Sequence, residues 1–316
     1  MYIAQSFLHS LVAALIVDTS LIAWKIENPV LRQRFRLLVV ILPIITLPLY
    51  QVISPDRGTP LFRLDAVFDI TRWLNLEIWG IVPVGVLFLL ALVFSAAVFL
   101  FQELLPIVRH SASPAGSGFA VSRLDRGTPA AQALETLPGS TPDIFVIDDE
   151  ECIIFSSTGK VPAIYLSRGL QENLTVDELR AALAHEISHI RRSRRPLMVT
   201  VFLLRVLMFF NPVILMEFRR IVQEEENICD DVAVGLTGDR QAMAGALKKF
   251  YDCETGGSPS LPDADRLQDR IEEYSHAMMI ESRIARLEST PSQDANGAVV
   301  FTIVLVTILL LNYYLV

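Results

Sequence analysis

Basic charge is scarce in this sequence. Its 27 lysines and arginines stand against 35 aspartates and glutamates, a formal net charge of −8 over 316 residues. That balance speaks against a nucleic-acid-binding surface, so nucleic acid is not expected among the partners. Charged residues of both signs make up only 20% of the chain, 52% is hydrophobic and the mean hydropathy is +0.44, which excludes an ordinary soluble protein. There is no internal repeat and no glycine-rich nucleotide-binding motif. The first apolar run lacks a basic leader and a clear cleavage site, so it reads as a retained anchor rather than a signal peptide.

What the chain has in abundance is apolar length. A bilayer takes about 20 apolar residues to cross, and four runs approach or exceed that: 2–24, 37–53, 78–108 and 298–316. Lys25, Arg32, Arg34 and Arg36 put the loop after the first run in the cytoplasm. The next loop mixes Arg57, Arg63 and Arg72 with acids and is expected outside, and Arg109, Arg123 and Arg126 bring the chain back. The scheme is N-terminus out, with three spans in residues 1–108, a linker over 109–142, a cytosolic domain over 143–297 and a fourth span over 298–316. A fifth apolar run, 197–216, is broken by Arg205 and Asn211-Pro212 and flanked by basic residues on both sides. It is expected to be re-entrant or interfacial, because a charge at mid-bilayer is costly; a soluble core helix is the alternative. Asp18 and His9 fall inside the first run, where an ionisable group points to a pairing or a sensing role.

Within the cytosolic part, residues 143–156 read as a β-hairpin, Ile144–Ile147 then Cys152–Phe155, turned by Asp148 to Glu151. Pro162 to Ser167 reads as a further strand, placed where an edge strand binds peptide by adding its backbone to a sheet. The three cysteines, Cys152, Cys229 and Cys253, all fall here, and a reducing compartment argues against disulfides.

The sharpest chemical signal is His185-Glu186-Ile187-Ser188-His189. Residues four apart share a helix face, so two imidazoles stand side by side, able to hold one Zn²⁺ with Glu186 as a carboxylate base. The plain alternative is a solvated helix face carrying two histidines. Thr175 and Glu178 form a capping-box pattern upstream. Leu179, Ala182, Leu183, Ile187 and Ile190 then supply an apolar stripe, and Pro196 stops the helix. A zinc enzyme needs a third protein ligand. Glu226 and Asp230, four apart, offer one carboxylate to the metal and one to a ligand histidine's far nitrogen. Glu224 and Glu225 read as solvated, and Cys229 as a small buried apolar residue.

These residues, with Phe210-Asn211-Pro212 and the run Val161 to Leu170, resemble the BlaR/MecR-type membrane zinc metallopeptidases, gluzincins of the antirepressor and sensor-transducer kind. The resemblance implies an α-helical membrane protein with an inserted α+β cytosolic gluzincin domain, four transmembrane helices and one re-entrant helix. It implies localisation to a bacterial-type inner membrane, Glu226 as third zinc ligand and Asp230 behind it. The chain ends at Val316, so the large extracellular sensor of the beta-lactam-sensing relatives is not expected. One Zn²⁺ held by His185, His189 and Glu226, with Glu186 as base, implies peptide hydrolysis. His276, Tyr274, Tyr251 and Arg283 are candidates to stabilise the oxyanion or hold substrate. The expected substrate is a cytosolic or membrane-associated regulator, or the chain itself. Alternatives are an HtpX-like quality-control protease and a zinc-stabilised signalling scaffold without turnover. Other expected partners are the lipid bilayer and, as an open option, further copies of the chain.

Overall fold

Helix dominates, with a few short strands. The computed structural model describes residues 2–53, 74–78, 80–101, 121–139, 142–157, 161–193, 197–255, 279–289 and 297–314. The chain divides into two units. One comprises Met1–Gly116, Leu197–Glu225 and Ser292–Val316; the other comprises Ser117–Pro196 and Glu226–Pro291.

The first unit is built from apolar helices. Tyr2–Ala23 is followed, after a short turn, by Pro29–Ile53. Asn28 starts the second helix, its side chain accepting from the amides of Val30 and Leu31, with Pro29 at the first helical position, where a missing N–H costs nothing. Ala13, Val17, Phe35 and Val39 interlock with Val304 and Ile308 of the helix Gly297–Tyr314. Among the described residues, Gln5–Ala23 and Gly297–Tyr314 are long and apolar enough to cross a membrane. Within the third apolar run, a two-stranded ribbon, β1 (Glu77–Ile78) and β2 (Val82–Pro83), precedes the helix Val84–Phe99. Residues 102–108 lie outside the described residues. The fifth run is interrupted where the sequence suggests. The helix Leu197–Leu207 ends, and Asn211 caps the helix Pro212–Thr237 through Val213 N–H.

One expectation fails in this unit. Glu224 and Glu225 are not a solvated face: Glu224 is buried against Arg32, and Glu225 accepts from Gln33. The basic and amide side chains at the start of Pro29–Ile53 supply the partners that water was expected to provide.

The second unit contains a four-stranded sheet in the order β3 (Val121–Arg123), β4 (Asp143–Ile147), β6 (Ala163–Ser167), β5 (Ile154–Ser157). β4 and β5 are therefore not the expected hairpin. β6 lies between them, parallel to β4 and antiparallel to β5. The reason is burial: Ala163, Ile164, Leu166 and Ser167 are all enclosed, so β6 takes the covered central position. The edge strand of the sheet on this side is consequently β5, not the Pro162–Ser167 run. Part of the stretch expected as a linker is also structured. Residues 121–123 form β3, and Pro129–Glu135 is a helix capped by Thr128 whose alanines enter the core. Cys152 and Cys253 are disulfide-bonded, against expectation; the helix Arg240–Thr255 brings their Cα atoms to 6.0 Å, a separation a disulfide bridges.

Candidate metal centre

The helix Val176–Ser193 forms as its pattern dictates. Thr175 N–H donates to Glu178, and Glu178 N–H donates back to the Thr175 hydroxyl, so the capping box is closed. Leu179, Leu183 and Ile187 are buried in the core of the second unit, which fixes the opposite-lying histidines in rotation about the helix axis.

His185 and His189 then converge. Their Nε2 atoms are 3.0 Å apart. Glu226, from the helix Pro212–Thr237, places Oε2 3.4 Å from His185 Nε2 and Oε1 3.5 Å from His189 Nε2. Donor atoms each about 2.0–2.1 Å from a tetrahedral zinc ion stand about 3.3 Å from one another. The observed spacings bracket that value, and these ligand atoms all lie within 4.8 Å of each other. Two imidazole nitrogens and one carboxylate are a donor set that zinc accepts. The residues present fit a zinc ion.

Behind the ligands lies a layer of supports. Asp230, fully buried, sits with Oδ1 3.0 Å from His185 Nδ1, within hydrogen-bonding distance though off the ideal line. Arg283, on the helix over 279–288, grips Asp230 with Nε at 2.9 Å and Nη2 at 2.7 Å. Its remaining nitrogen, Nη1, is 3.2 Å from Glu226. One guanidinium thus holds both carboxylates that face His185. On the far side of His189, Cys229 sets its sulfur 3.6 Å from Nδ1. Ser188 donates to the carbonyl of His185 and, at 3.3 Å, to that of Cys229, which ties the two helices together.

The electrostatics follow from these contacts. Burial works against a charged His185, but hydrogen bonds to Asp230 and Glu226 and the charge of Asp230 overcome it and raise His185 to about 9. Burial and the neighbouring charge of His185 hold His189 below its ordinary value. Burial alone would raise Glu226, yet the His185 hydrogen bond and the Arg283 charge bring it down to about 2. Asp230 is likewise held well below the usual carboxylate range, against its burial, by His185 and Arg283. In the absence of an ion, a proton on His185 and the Arg283 guanidinium together balance the two carboxylates.

Glu186 faces the same cavity as the three ligands, a space of about 200 Å³ that also meets Ile154 of β5 and Phe250. Of the residues singled out from sequence, the structure brings together His185, Glu186, His189, Glu226, Asp230 and Arg283. Tyr251 packs against the core instead. His276 and Tyr274 lie outside the described residues. Cys229 as a support for His189 escapes sequence reading. Its signal was positional only, three residues after Glu226 and so on nearly the same helix face.

Residues 156–247 match the model of the family described as BlaR1 peptidase M56, so the BlaR/MecR resemblance read from the motifs holds over that stretch. The match includes His185, Glu186, His189, Glu226 and Asp230 and stops short of Arg283. No curated protein matches the chain. Among solved structures it is similar to the crystal structure of S. mikatae Ste24p, with 16% identity and a TM-score of 0.36 over 81% of this chain; the chain spans 64% of that protein's length.

Proposed function

With a BlaR1-type M56 peptidase segment over residues 156–247 as the premise, we propose that the chain is a membrane zinc metalloendopeptidase that cuts a cytosolic or membrane-associated regulatory protein, itself included. The observation that carries this reading is the convergence of His185, His189 and Glu226, at zinc-ligand spacing, on a cavity that Glu186 also lines.

His185, His189 and Glu226 would hold a zinc ion, which would supply Lewis acidity to a water molecule and to the scissile carbonyl. The chain's own groups do the rest. Glu186 accepts a proton from the attacking water and delivers it to the departing amide nitrogen, so that the C–N bond breaks with the proton on the amine and hydroxyl on the acyl carbon. Asp230 keeps the His185 ring turned so that Nε2 points toward His189 and Glu226, where it would serve as a ligand. Arg283 lines the cavity with Nη1 3.2 Å from Glu226, a position from which a guanidinium would stabilise a developing oxyanion. Ile154 brings the edge strand β5 to the cavity, and β5 pairs with β6 alone among the described residues. Its open edge suits an extended peptide bound as an added strand. That geometry favours an endopeptidase working on a flexible segment, as a linker in a regulator supplies.

The test uses the full chain in detergent. Wild type and Glu186→Gln are both expected to hold about one zinc per chain, by the one-site ligand set. Cleavage of casein and of the chain itself is expected in wild type and about 10²–10⁴-fold slower in the variant. Mass spectrometry of the products reads the cleavage sites. Zinc in both proteins with no cutting in either argues for a scaffold, and absence of zinc sinks the reading.

A further inference from the structure

The first unit carries a second group of charges that peptide hydrolysis does not use. A cavity of about 420 Å³ is lined by Asp18, Lys25, Glu27, Arg32, Arg36 and Arg220. Arg36 donates through Nη1 to Asp18 at 3.3 Å and to Glu217 at 3.1 Å. Arg220 donates through Nη1 to the same two carboxylates, at 2.9 Å and 2.6 Å. Arg32 donates through Nε to Glu224 at 2.6 Å. Three carboxylates thus neutralise three guanidiniums, but they do not use up their donors. A guanidinium has five N–H groups, and Arg36 and Arg220 each engage these carboxylates through a single nitrogen. Arg36 is 6% exposed, and its buried Nε has no hydrogen-bond partner among the described residues; the nearest ion-pairing oxygen, on Glu224, is 3.9 Å away. A buried donor left without an acceptor is costly. The N–H groups that the lining arginines leave unused suit a compact group made of acceptors alone and matched to forked donors; phosphate is such a group.

The location points the same way. Lys25, exposed at the rim, follows directly on the candidate span Gln5–Ala23, and Arg32 and Arg36 lie in the first two turns of Pro29–Ile53. Membrane headgroups sit at such span ends, and basic pockets between spans on that level take lipid phosphates. Ile22 lines the cavity and is 78% exposed; Leu15, two turns earlier on the same helix face, is exposed too. They form an apolar stripe leading from the cavity back along the span, as an acyl chain requires. We propose that this cavity binds a phosphate group, carried on a phospholipid headgroup or free in solution, with the apolar stripe favouring the lipid.

The experiment is thermal unfolding of the full chain in detergent, titrated separately with dioleoyl phosphatidic acid, dioleoylglycerol and inorganic phosphate. Phosphatidic acid is expected to raise the midpoint and dioleoylglycerol, with the same tails and no phosphate, to leave it unchanged. A full shift with inorganic phosphate at similar concentration assigns the site to the free ion; a shift with the lipid alone assigns it to the headgroup. Lys25 has φ of 49°, a conformation glycine accepts freely, so Lys25→Gly removes the charge without straining the turn. It is expected to move the lipid titration to roughly fivefold higher concentration, the effect of one cation near the headgroups. Arg36→Lys keeps the charge but loses the fork and is expected to weaken binding further; if it does not fold, Lys25→Gly still decides. Equal shifts by phosphatidic acid and dioleoylglycerol, no shift by any of the three, or titrations identical in wild type and Lys25→Gly overturn the proposal.

Discussion

Asp230 and Arg283 show how much of a candidate metal site depends on residues outside its ligand set. Asp230 is wholly buried, is gripped through two nitrogens by Arg283 and stands 3.0 Å from the ring nitrogen of His185 that faces away from the ligand cluster. Asp230→Asn keeps the shape and removes the charge. Zinc affinity is expected to fall about 10–100-fold, the usual cost of losing such a support, as read by competition with a chromophoric chelator; unchanged affinity would mean that Asp230 does not orient His185. The same contacts set the pH dependence of the zinc-stripped protein. His185 is raised from 6.5 to about 9, so its contribution to stability is fully present below pH 6.5 and is lost as pH rises through 9. Glu226, lowered from 4.5 to about 2, runs the other way: its contribution is present above pH 4.5 and is lost as pH falls through 2. In EDTA the unfolding midpoint should therefore decline between pH 6.5 and 9, and a flat or rising profile across that window contradicts the assignment. The two histidines, and Glu226 with Asp230, were legible as pairs because helical spacing brings residues four apart to one face, while the joining of the two pairs was implied by the family resemblance. The anchoring of Arg283 on both carboxylates was not legible, since no local pattern ties residue 283 to residues 226 and 230.

At the level of elements, local signals and long-range ones behave differently. The capping box at Thr175 and Glu178 and the Asn211-Pro212 start of the helix Pro212–Thr237 both act within a few residues, and sequence reading located them; Pro196 lies outside the described residues. Strand partnership is not local. Ile144–Ile147 and Cys152–Phe155 look like a hairpin because they are close in sequence, but burying both faces of β6 takes precedence over adjacency along the chain. Gly169 marks the point where this arrangement is tightest. It follows β6 in the helix Arg168–Asn173, and a Cβ there would strike the backbone of Glu150 in the β4–β5 connection. Gly169→Ala should thus destabilise the second unit by about 1–3 kcal/mol, the range for overpacking against a close-fitting neighbour. Urea unfolding measures this, and a loss below roughly 0.5 kcal/mol, the scale of an ordinary surface substitution, would show that the Glu150 backbone yields freely.

For the molecule as a whole, the candidate metal ligands come from two helices, and a third helix holds that layer through Arg283. An ion bound there stabilises only the folded arrangement. Saturating zinc at about 100 times its dissociation constant adds about 2.7 kcal/mol by mass action. Removing zinc with EDTA is accordingly expected to lower the unfolding midpoint, and restoring zinc to recover it; calorimetry with and without the chelator reads both. An unchanged midpoint would mean that no ion bridges these helices in the native protein.

Composition and periodicity by themselves determined that the chain is rich in apolar helices, that a histidine-bearing helix starts at a capping box, and that carboxylates four apart follow it. Each of these rests on interactions within a few turns, where spacing dictates which side chains share a face. Tertiary structure alone decided that β5 is the edge strand beside the cavity, that Cys152 meets Cys253, that Arg283 joins Asp230 to Glu226, and that Asp18 and Glu217 share Arg36 and Arg220. Those pairings join residues distant in sequence. They are chosen by which buried charges and apolar faces must be satisfied together, and that becomes definite only when the whole core is packed.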